Sequence, residues 1–130
     1  MNAQLLADHG LTINDYEVLV HLARAPERRL RRIDLADRLL LTASGITRLL
    51  DGLEREQLVE KARCESDARV TYAVLTDIGL ARLTAASETH VAGVQDLFES
   101  RFSAAEIETL AKLLGRLPVA GDESAACEAP

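Results

Sequence analysis

The sequence predicts a mainly α-helical domain that carries one small β-hairpin. Leu, Ala, Val and Ile supply most of the 48% hydrophobic content, whereas aromatic residues make up only 3% and tryptophan is absent. Such a core suits helices packed through aliphatic ridges better than a β-sandwich. Apolar residues recur at helical spacing over most of the chain, and the spacing becomes strand-like only near its middle. A chain of 130 residues is expected to form one domain.

The N-terminal part predicts a short helix followed by a longer amphipathic one. The short helix runs from Asn2 to His9, with Leu5 and Leu6 as its apolar contacts. Thr12 has the side chain of a helix N-cap and should begin the second helix. That helix ends before Pro26 because proline cannot continue it.

Two closely joined helices are predicted after a basic connection at Glu27 to Arg32. The first runs from Ile33 to Leu40, and the second from Ala43 to about Gln57 with Thr42 as its cap. The first helix is expected to bury Leu35, Ala36, Leu39 and Leu40. One or two residues separate the helices, which is typical of a helix-turn-helix.

A β-hairpin is predicted next. Side chains for two opposite faces alternate from Val70 to Leu75, which indicates a half-buried strand. Its partner is Val59 to Arg63, placed there mainly because a hairpin needs a second strand. Cys64 to Arg69 then form the tip.

Two helices complete the predicted domain. Thr76 should cap a long helix from Asp77 to about Arg101. Ser103 to Glu106 match a capping box for the last helix. Its apolar face consists of Leu110, Leu113, Leu114 and Leu117. Pro118 ends it, and residues 118–130, small and acidic, are expected to be a disordered tail.

The charges are unevenly distributed along the chain. The net charge is −6, but Arg24 to Arg69 hold eleven basic and nine acidic residues, a net of +2. The remainder, with four basic and twelve acidic residues, has a net charge of −8. The basic surface therefore belongs to the middle of the sequence, although a split of this kind alone favours DNA binding only weakly.

The helix from Ala43 to about Gln57 has two distinct faces. Its core face consists of Ile46, Leu49, Leu50 and Leu53, at i, i+3, i+4 and i+7. Its other face consists of Ser44, Thr47, Arg48, Asp51 and Arg55. Hydroxyls and arginine can contact base edges or phosphates, although most amphipathic helices have a polar outer face. A hairpin with an arginine near its tip follows, which together with this helix is typical of a winged helix-turn-helix on duplex DNA.

The motifs resemble those of the MarR (multiple antibiotic resistance regulator) family of bacterial transcription regulators. The likeness rests on Thr42 to Glu54, then Asp67-Ala68-Arg69, and then, after five intervening residues, Leu75 to Gly79. It runs from about His9 to Leu117. The resemblance implies a single domain over residues 1–117, with a winged helix-turn-helix lobe at about 27–76. It also implies N- and C-terminal dimerisation helices at 1–12 and 77–117.

The resemblance also implies roles for the hairpin residues. Arg69 would be the wing-tip cation at the minor groove, Asp67 would orient it, and Lys61 and Arg63 would assist at the DNA backbone. With Ser44, Thr47 and Arg48 of the helix, these are the predicted DNA contacts. The alternative for the wing is a hairpin turn held by a local ion pair. Three positions depart from the family pattern: Ala43 and Ala68 lack larger polar groups, and Gln57 replaces a glycine.

Partners follow from the same resemblance. A homodimer would bind a pseudo-palindromic site in double-stranded DNA and act as a repressor. The alternative to the dimer is that the leucines of its terminal helices pack entirely within one subunit. Many relatives release DNA on binding a small phenolic or aromatic acid. Here that effector would meet His9, Leu11, Tyr16 and His21, with His90 farther along, although such residues are more often packing residues.

Several function classes are excluded. The sequence contains no apolar run that could span a membrane and no visible signal peptide, so the expected location is cytoplasmic. It contains no phosphate loop, metal-ligand spacing or activated nucleophile, so we expect no enzyme, cofactor or metal.

Two alternatives to a DNA-binding regulator remain open. One is a winged-helix module that binds protein; the other is a ligand- or redox-sensing dimer with weak DNA binding, in which Cys64 could be the reactive thiol.

Overall fold

Residues 8–118 are described by the structure, a computed structural model. Their helices and strands, in chain order, are α1 (Ile13–Arg24), β1 (Arg29–Arg31), α2 (Arg32–Leu39), α3 (Ala43–Arg55), β2 (Val59–Arg63), β3 (Thr71–Leu75), α4 (Asp77–Glu99) and α5 (Ala104–Leu114). A single 3₁₀ turn at Pro26–Arg28 lies between α1 and β1. The predicted mainly helical fold with a small β element is confirmed. Most of the predicted N-terminal helix, with Leu5 and Leu6, and the predicted tail after Pro118 lie outside the described residues.

Hydroxyl side chains start four of the helices, as the sequence predicts. Each accepts a hydrogen bond from the backbone N–H three residues later and so satisfies a donor that the first turn leaves unpaired. These caps are Thr12, Thr42, Thr76 and Ser103. At α5 the cap is reciprocal: Glu106 accepts a hydrogen bond from the Ser103 backbone, and this bond lowers the pKa of the Glu106 carboxyl.

The sheet has three antiparallel strands in the order β1-β3-β2, one more than predicted. β2 and β3 form the expected hairpin, with Val59 opposite Leu75 and Arg63 opposite Thr71. The additional strand, β1, pairs with the other edge of β3 and places Arg31 opposite Tyr72. The expectation of an irregular basic connection is therefore wrong for Arg29–Arg31. These residues form a strand because Leu30 enters the core and β3 supplies the backbone partners.

The core lies between the sheet and the first three helices. Its most buried side chains include Leu11, Leu19 and Leu22 near or within α1, Leu35 of α2, Ile46 and Leu50 of α3, and Leu58. One core prediction is wrong: the side chain of Leu40 is 91% exposed. α2 ends at Leu39, and Leu40 adopts a left-handed conformation with φ 55°, so the chain reverses there and turns the side chain outward.

The end of α3 shows the structural cost of one departure from the family pattern, the glutamine at position 57. α3 ends at Arg55, two residues earlier than predicted, and Gln57 follows with φ 64°. The N–H of Leu58 then bonds to the carbonyl of Leu53 at 3.0 Å, which closes the helix end. Glycine adopts this left-handed conformation without a steric penalty, so glutamine is strained at a position that suits glycine.

α5 and the distal half of α4 project from this core. Within residues 8–118, no α5 side chain is buried. Val91, Leu97, Phe102, Leu113, Leu114 and Leu117 are 41–63% exposed. The alternative that these leucines pack entirely within one subunit therefore does not hold for the described chain. None of the helices in this part of the chain combines the length and apolarity needed to cross a bilayer.

Candidate nucleic-acid interface

α3 is fixed in orientation by its apolar face. Ile46, Leu50 and Leu53 are buried against the core, and Leu49 is partly buried beside them. Because these residues hold one side of the helix inward, the opposite side is directed outward. Ser44 and Arg48 are exposed there, and Thr47 is half-buried. The predicted polar face of α3 is accessible from outside the domain.

The Thr47 hydroxyl is already engaged on this face. Its Oγ1 donates to the backbone carbonyl of Ala43 at 2.9 Å. It also accepts from the guanidinium Nη1 of Arg32, the first residue of α2, at 3.3 Å. Ser44, one turn earlier, lies 3.3 Å from the Thr42 hydroxyl. The two α3 hydroxyls therefore differ, because only Thr47 is bonded to a cationic side chain.

Lys61 joins the hairpin to α3. Its Nζ forms a hydrogen-bonded ion pair with the Asp51 carboxylate and lies 4.0 Å from the Glu54 carboxylate. The Lys61 hydrogen bond, with smaller effects of Arg55 and Arg32, lowers the pKa of the Asp51 carboxyl. Lys61 thus offsets a carboxylate that would otherwise repel phosphate. It was predicted only as a backbone contact, and it lies against α3.

The hairpin tip presents an arginine held by an aspartate. The N–H of Cys64 bonds to the carbonyl of Val70 at 3.1 Å, which closes the tip. Oδ1 of Asp67 accepts from the Arg69 backbone N–H at 3.0 Å and from its Nε at 3.2 Å. The second carboxylate oxygen lies 3.4 Å from the Arg69 Nη2. Asp67 thus contacts Arg69 as both interpretations of the wing predict, while the Arg69 side chain stays 91% exposed.

This ion pair keeps its charges at neutral pH. The hydrogen bonds from Arg69 lower the pKa of the Asp67 carboxyl, and the same contact raises the pKa of the Arg69 guanidinium. Protonation of Asp67 therefore needs a pH below the ordinary carboxyl range. Arg63 is exposed near the same end of the hairpin, whereas Glu65 adds an exposed acidic group at the tip. The tip thus carries mixed charge.

Arg32 is a candidate contact that the sequence analysis missed. It is exposed at the junction of β1 and α2, and it reaches the outer face of α3 through Thr47. Its neighbour Arg31 already forms an ion pair with Asp34. The Nε and Nη2 of Arg31 donate to the two carboxylate oxygens of Asp34 at 2.8 and 3.0 Å. The Asp34 hydrogen bond raises the pKa of Arg31. The basic run before α2 was a visible signal, but it did not distinguish which arginine reaches α3.

The residues predicted to meet an effector lie in different environments. Leu11 is fully buried in the core, and Tyr16 is nearly so. The Tyr16 hydroxyl lies 3.1 Å from Ser87 Oγ, and its ring centroid lies 4.8 Å from that of His90. His9 Nε2 is 2.8 Å from Thr89 Oγ1. His9, Tyr16 and His90 therefore share the contact between the start of α1 and α4, and Leu11 belongs to the packing beneath it.

A metal site is not formed by the described part of the chain. No group of three or more His, Cys, Asp or Glu side chains between residues 8 and 118 could hold a metal ion. Cys64 is buried at the base of the hairpin tip, with Sγ 3.1 Å from Ser66 Oγ.

Comparisons with known proteins agree with this geometry. A model of the MarR family matches residues 9–70. The chain is 30% identical over 109 residues to the HTH-type transcriptional regulator MhqR of Bacillus subtilis, covering 84% of this chain and 73% of that protein. It is 33% identical over 111 residues to the HTH-type transcriptional repressor YetL of the same organism, covering 85% and 66%.

A solved relative extends the comparison to structure. Sco3205, a MarR family transcriptional regulator from Streptomyces coelicolor solved in complex with DNA, is 32% identical to the chain. The two superpose with a TM-score of 0.78, covering 88% of this chain and 71% of that one.

Proposed function

The chain belongs to the MarR family of transcriptional regulators, and from that membership we propose that it represses transcription as a homodimer on a pseudo-palindromic DNA site. The recognition helix is α3, which would enter the major groove with Ser44, Thr47 and Arg48. The wing is the β2–β3 hairpin, which would place Arg69 in the adjacent minor groove. The protein would act in the cytoplasm, where bacterial DNA is accessible.

One observation carries this proposal: the guanidinium of Arg69 is exposed yet fixed in direction by Asp67. An ion pair at an exposed turn adds little to stability, because water and salt screen it. A fixed cation is more useful in a narrow minor groove, where the negative potential is concentrated. Further support comes from Sco3205, a similar chain that was solved with DNA. The repressor assignment is supported by the likeness to YetL, which is described as a repressor.

The homodimer is supported by apolar surface that one chain leaves uncovered. A groove on α5 is lined by Phe102, Ala105, Glu106, Thr109, Leu110 and Leu113. A helix of 11 residues is marginal in water unless it packs against another element. A second copy of α5 and of the distal part of α4 would supply that packing. Residues 77–117 and the N-terminal segment 1–12 would then form the dimerisation region.

An effector site is proposed at the contact between α1 and α4. A phenolic or other aromatic acid would stack on Tyr16 and pair its carboxylate with a histidine, His9 or His21, while Leu11 packs beneath the site. A panel of such acids should then raise the melting temperature, and His9→Ala should reduce that rise. If no acid in the panel shifts the melting temperature of the parent protein, this effector class is excluded.

The DNA-binding proposal is tested with duplexes selected from a randomised library by the parent protein. Fluorescence anisotropy then measures binding at several salt concentrations. Arg69→Ala should weaken binding about tenfold or more on all selected duplexes. The log–log salt slope should fall by about two for the dimer, about one for each wing. Thr47→Ala and Arg48→Ala should instead change the preferred bases.

A matched control removes the same charge elsewhere. Arg24 is exposed at the end of α1, outside α3 and the β2–β3 hairpin. Arg24→Ala should bind like the parent. Equal binding by Arg69→Ala, Thr47→Ala and Arg48→Ala would contradict the proposed DNA role. In that case a winged-helix module that binds protein would be the better interpretation.

A further inference from the structure

Arg32 lies between the two elements proposed to contact DNA, which are α3 and the β2–β3 hairpin. The register of the sheet places Arg31 opposite Tyr72 on β3, beside the pair formed by Thr71 and Arg63, which is the last pair before the hairpin tip. Arg32 follows immediately as the first residue of α2. From there its side chain extends to Thr47 on α3. Its guanidinium therefore lies at the outer face of α3.

The charge of Arg32 is not committed to a carboxylate. Nearby arginines are paired, including Arg28 with Asp77 at 2.9 Å and Arg31 with Asp34 at 2.8 Å. Among residues 8–118, by contrast, Arg32 forms no ion pair within 4.0 Å. In this part of the chain its one hydrogen bond goes to the neutral Thr47 hydroxyl. A guanidinium has five N–H donors, so most of them stay available for an external acceptor.

The Thr47 hydroxyl forms its hydrogen bonds within the protein and holds Arg32, so it is not directed at an external partner. Its hydroxyl hydrogen is given to the Ala43 carbonyl, and a lone pair receives the Arg32 donor. Such a hydroxyl has little capacity left for a direct contact with a base. What it does is hold the guanidinium above the outer face of α3. One turn farther along that face, Asp51 is paired with Lys61, which limits the repulsion that DNA would meet there.

We propose that Arg32 is a specificity-determining residue, which Thr47 positions to donate a pair of hydrogen bonds to the O6 and N7 acceptors of a guanine in the major groove. This inference rests on the proposed function, because it requires the outer face of α3 to enter that groove. It changes the assignment of Thr47, which becomes a positioning residue. It also adds a DNA contact from α2, outside the recognition helix.

The experiment compares Arg32→Ala, Arg32→Lys and the parent protein on the library-selected duplex and on all its single-base substitutions. Arg32→Ala should weaken binding to the selected duplex about tenfold or more, and it should abolish the preference for guanine at one position of each half-site. Arg32→Lys keeps the charge but lacks the fork of parallel donors. It should recover affinity at low salt without recovering the base preference.

Thr47→Val tests the positioning role, since it keeps the shape and removes the hydroxyl. It should relax the same guanine position as Arg32→Ala. Adding Thr47→Val to Arg32→Ala should cause little further loss, because the hydroxyl acts through the guanidinium. If Thr47→Val weakens DNA binding as much in the Arg32→Ala variant as in the parent, the positioning role of Thr47 is wrong. Melting temperatures should stay unchanged for Arg32→Ala, since its contact is exposed.

The outcomes separate this inference from the function on which it rests. Uniform weakening by Arg32→Ala on every duplex, with only a smaller salt slope, would identify a phosphate contact and overturn base reading by Arg32. Normal binding by Arg32→Ala while Arg69→Ala binds poorly would overturn the inference and leave the proposed function intact. If the parent selects no duplex at all, the proposed function itself fails.

Discussion

Gly79 is where backbone packing in this chain leaves no room for a side chain. A Cβ built on Gly79 would lie 2.1 Å from the carbonyl oxygen of Leu58 and 2.7 Å from Cδ1 of Leu75. Nearby, the Thr76 hydroxyl caps α4 through the Gly79 N–H at 2.9 Å and lies 3.0 Å from the same Leu58 carbonyl oxygen. The start of α4 therefore rests directly on the junction between α3 and β2.

Gly79→Ala should destabilise the protein by about 3 kcal/mol, because the Leu58 backbone would have to move away from the new methyl group. Denaturant unfolding measures the change. Gly52→Ala is the matched control, since a Cβ there meets only the end of Arg55 at 3.9 Å. In the interior of α3 that change should stabilise by about 0.5–1 kcal/mol. Equal stability of the two variants would show that the close contact at Gly79 does not exist.

Individual residues also show what a sequence can and cannot predict. The pair of Asp67 and Arg69 was predictable, because both lie in one short turn and match a family motif. The state of the Thr47 hydroxyl was not. It depends on Arg32, fifteen residues away in the chain, and that distance is closed only by the packing of α2 on α3. Long-range side-chain contacts of this kind leave no local pattern in the sequence.

Among the secondary-structure elements, predictability followed the strength of the local signal. α3, α4 and α5 were placed closely because a capping hydroxyl precedes each of them. β1 was missed because a three-residue strand of Arg-Leu-Arg is too short for alternation to be read. The turn after α2 was misplaced because Leu40, an apolar residue, adopts a left-handed conformation that glycine or asparagine favours.

At the scale of the whole molecule, the exposed apolar surface of α5 is where the proposed homodimer would form. Leu113 lines the α5 groove and is 49% exposed in one chain. In the proposed homodimer it would be buried, so a charge there would be costly. Leu113→Glu should therefore weaken dimerisation by about 100-fold or more, and it should also weaken binding to palindromic DNA. Sedimentation measurements at several protein concentrations would detect the monomer.

The control for this prediction adds the same charge outside the apolar surface. Leu40 is 91% exposed at the end of α2, outside the proposed dimerisation region, so Leu40→Glu should leave the association unchanged. Leu113→Glu should keep its helical circular dichroism if the chain folds before it pairs. A dimer of unchanged strength in Leu113→Glu would rule out α5 as the interface.

The bridge from Lys61 to Asp51 has a consequence for how an operator would be accommodated. β2 begins four residues after α3 ends, Leu58 between them is fully buried, and the ion pair ties the strand back to the helix. Bending of the hairpin relative to the helix would break all of these contacts together. The distance between α3 and the hairpin, the two elements proposed to enter the grooves, is thus set by the protein. Where that distance differs from the spacing of adjacent grooves, the duplex would have to distort. Base steps that deform easily should therefore favour binding even where no side chain reaches them.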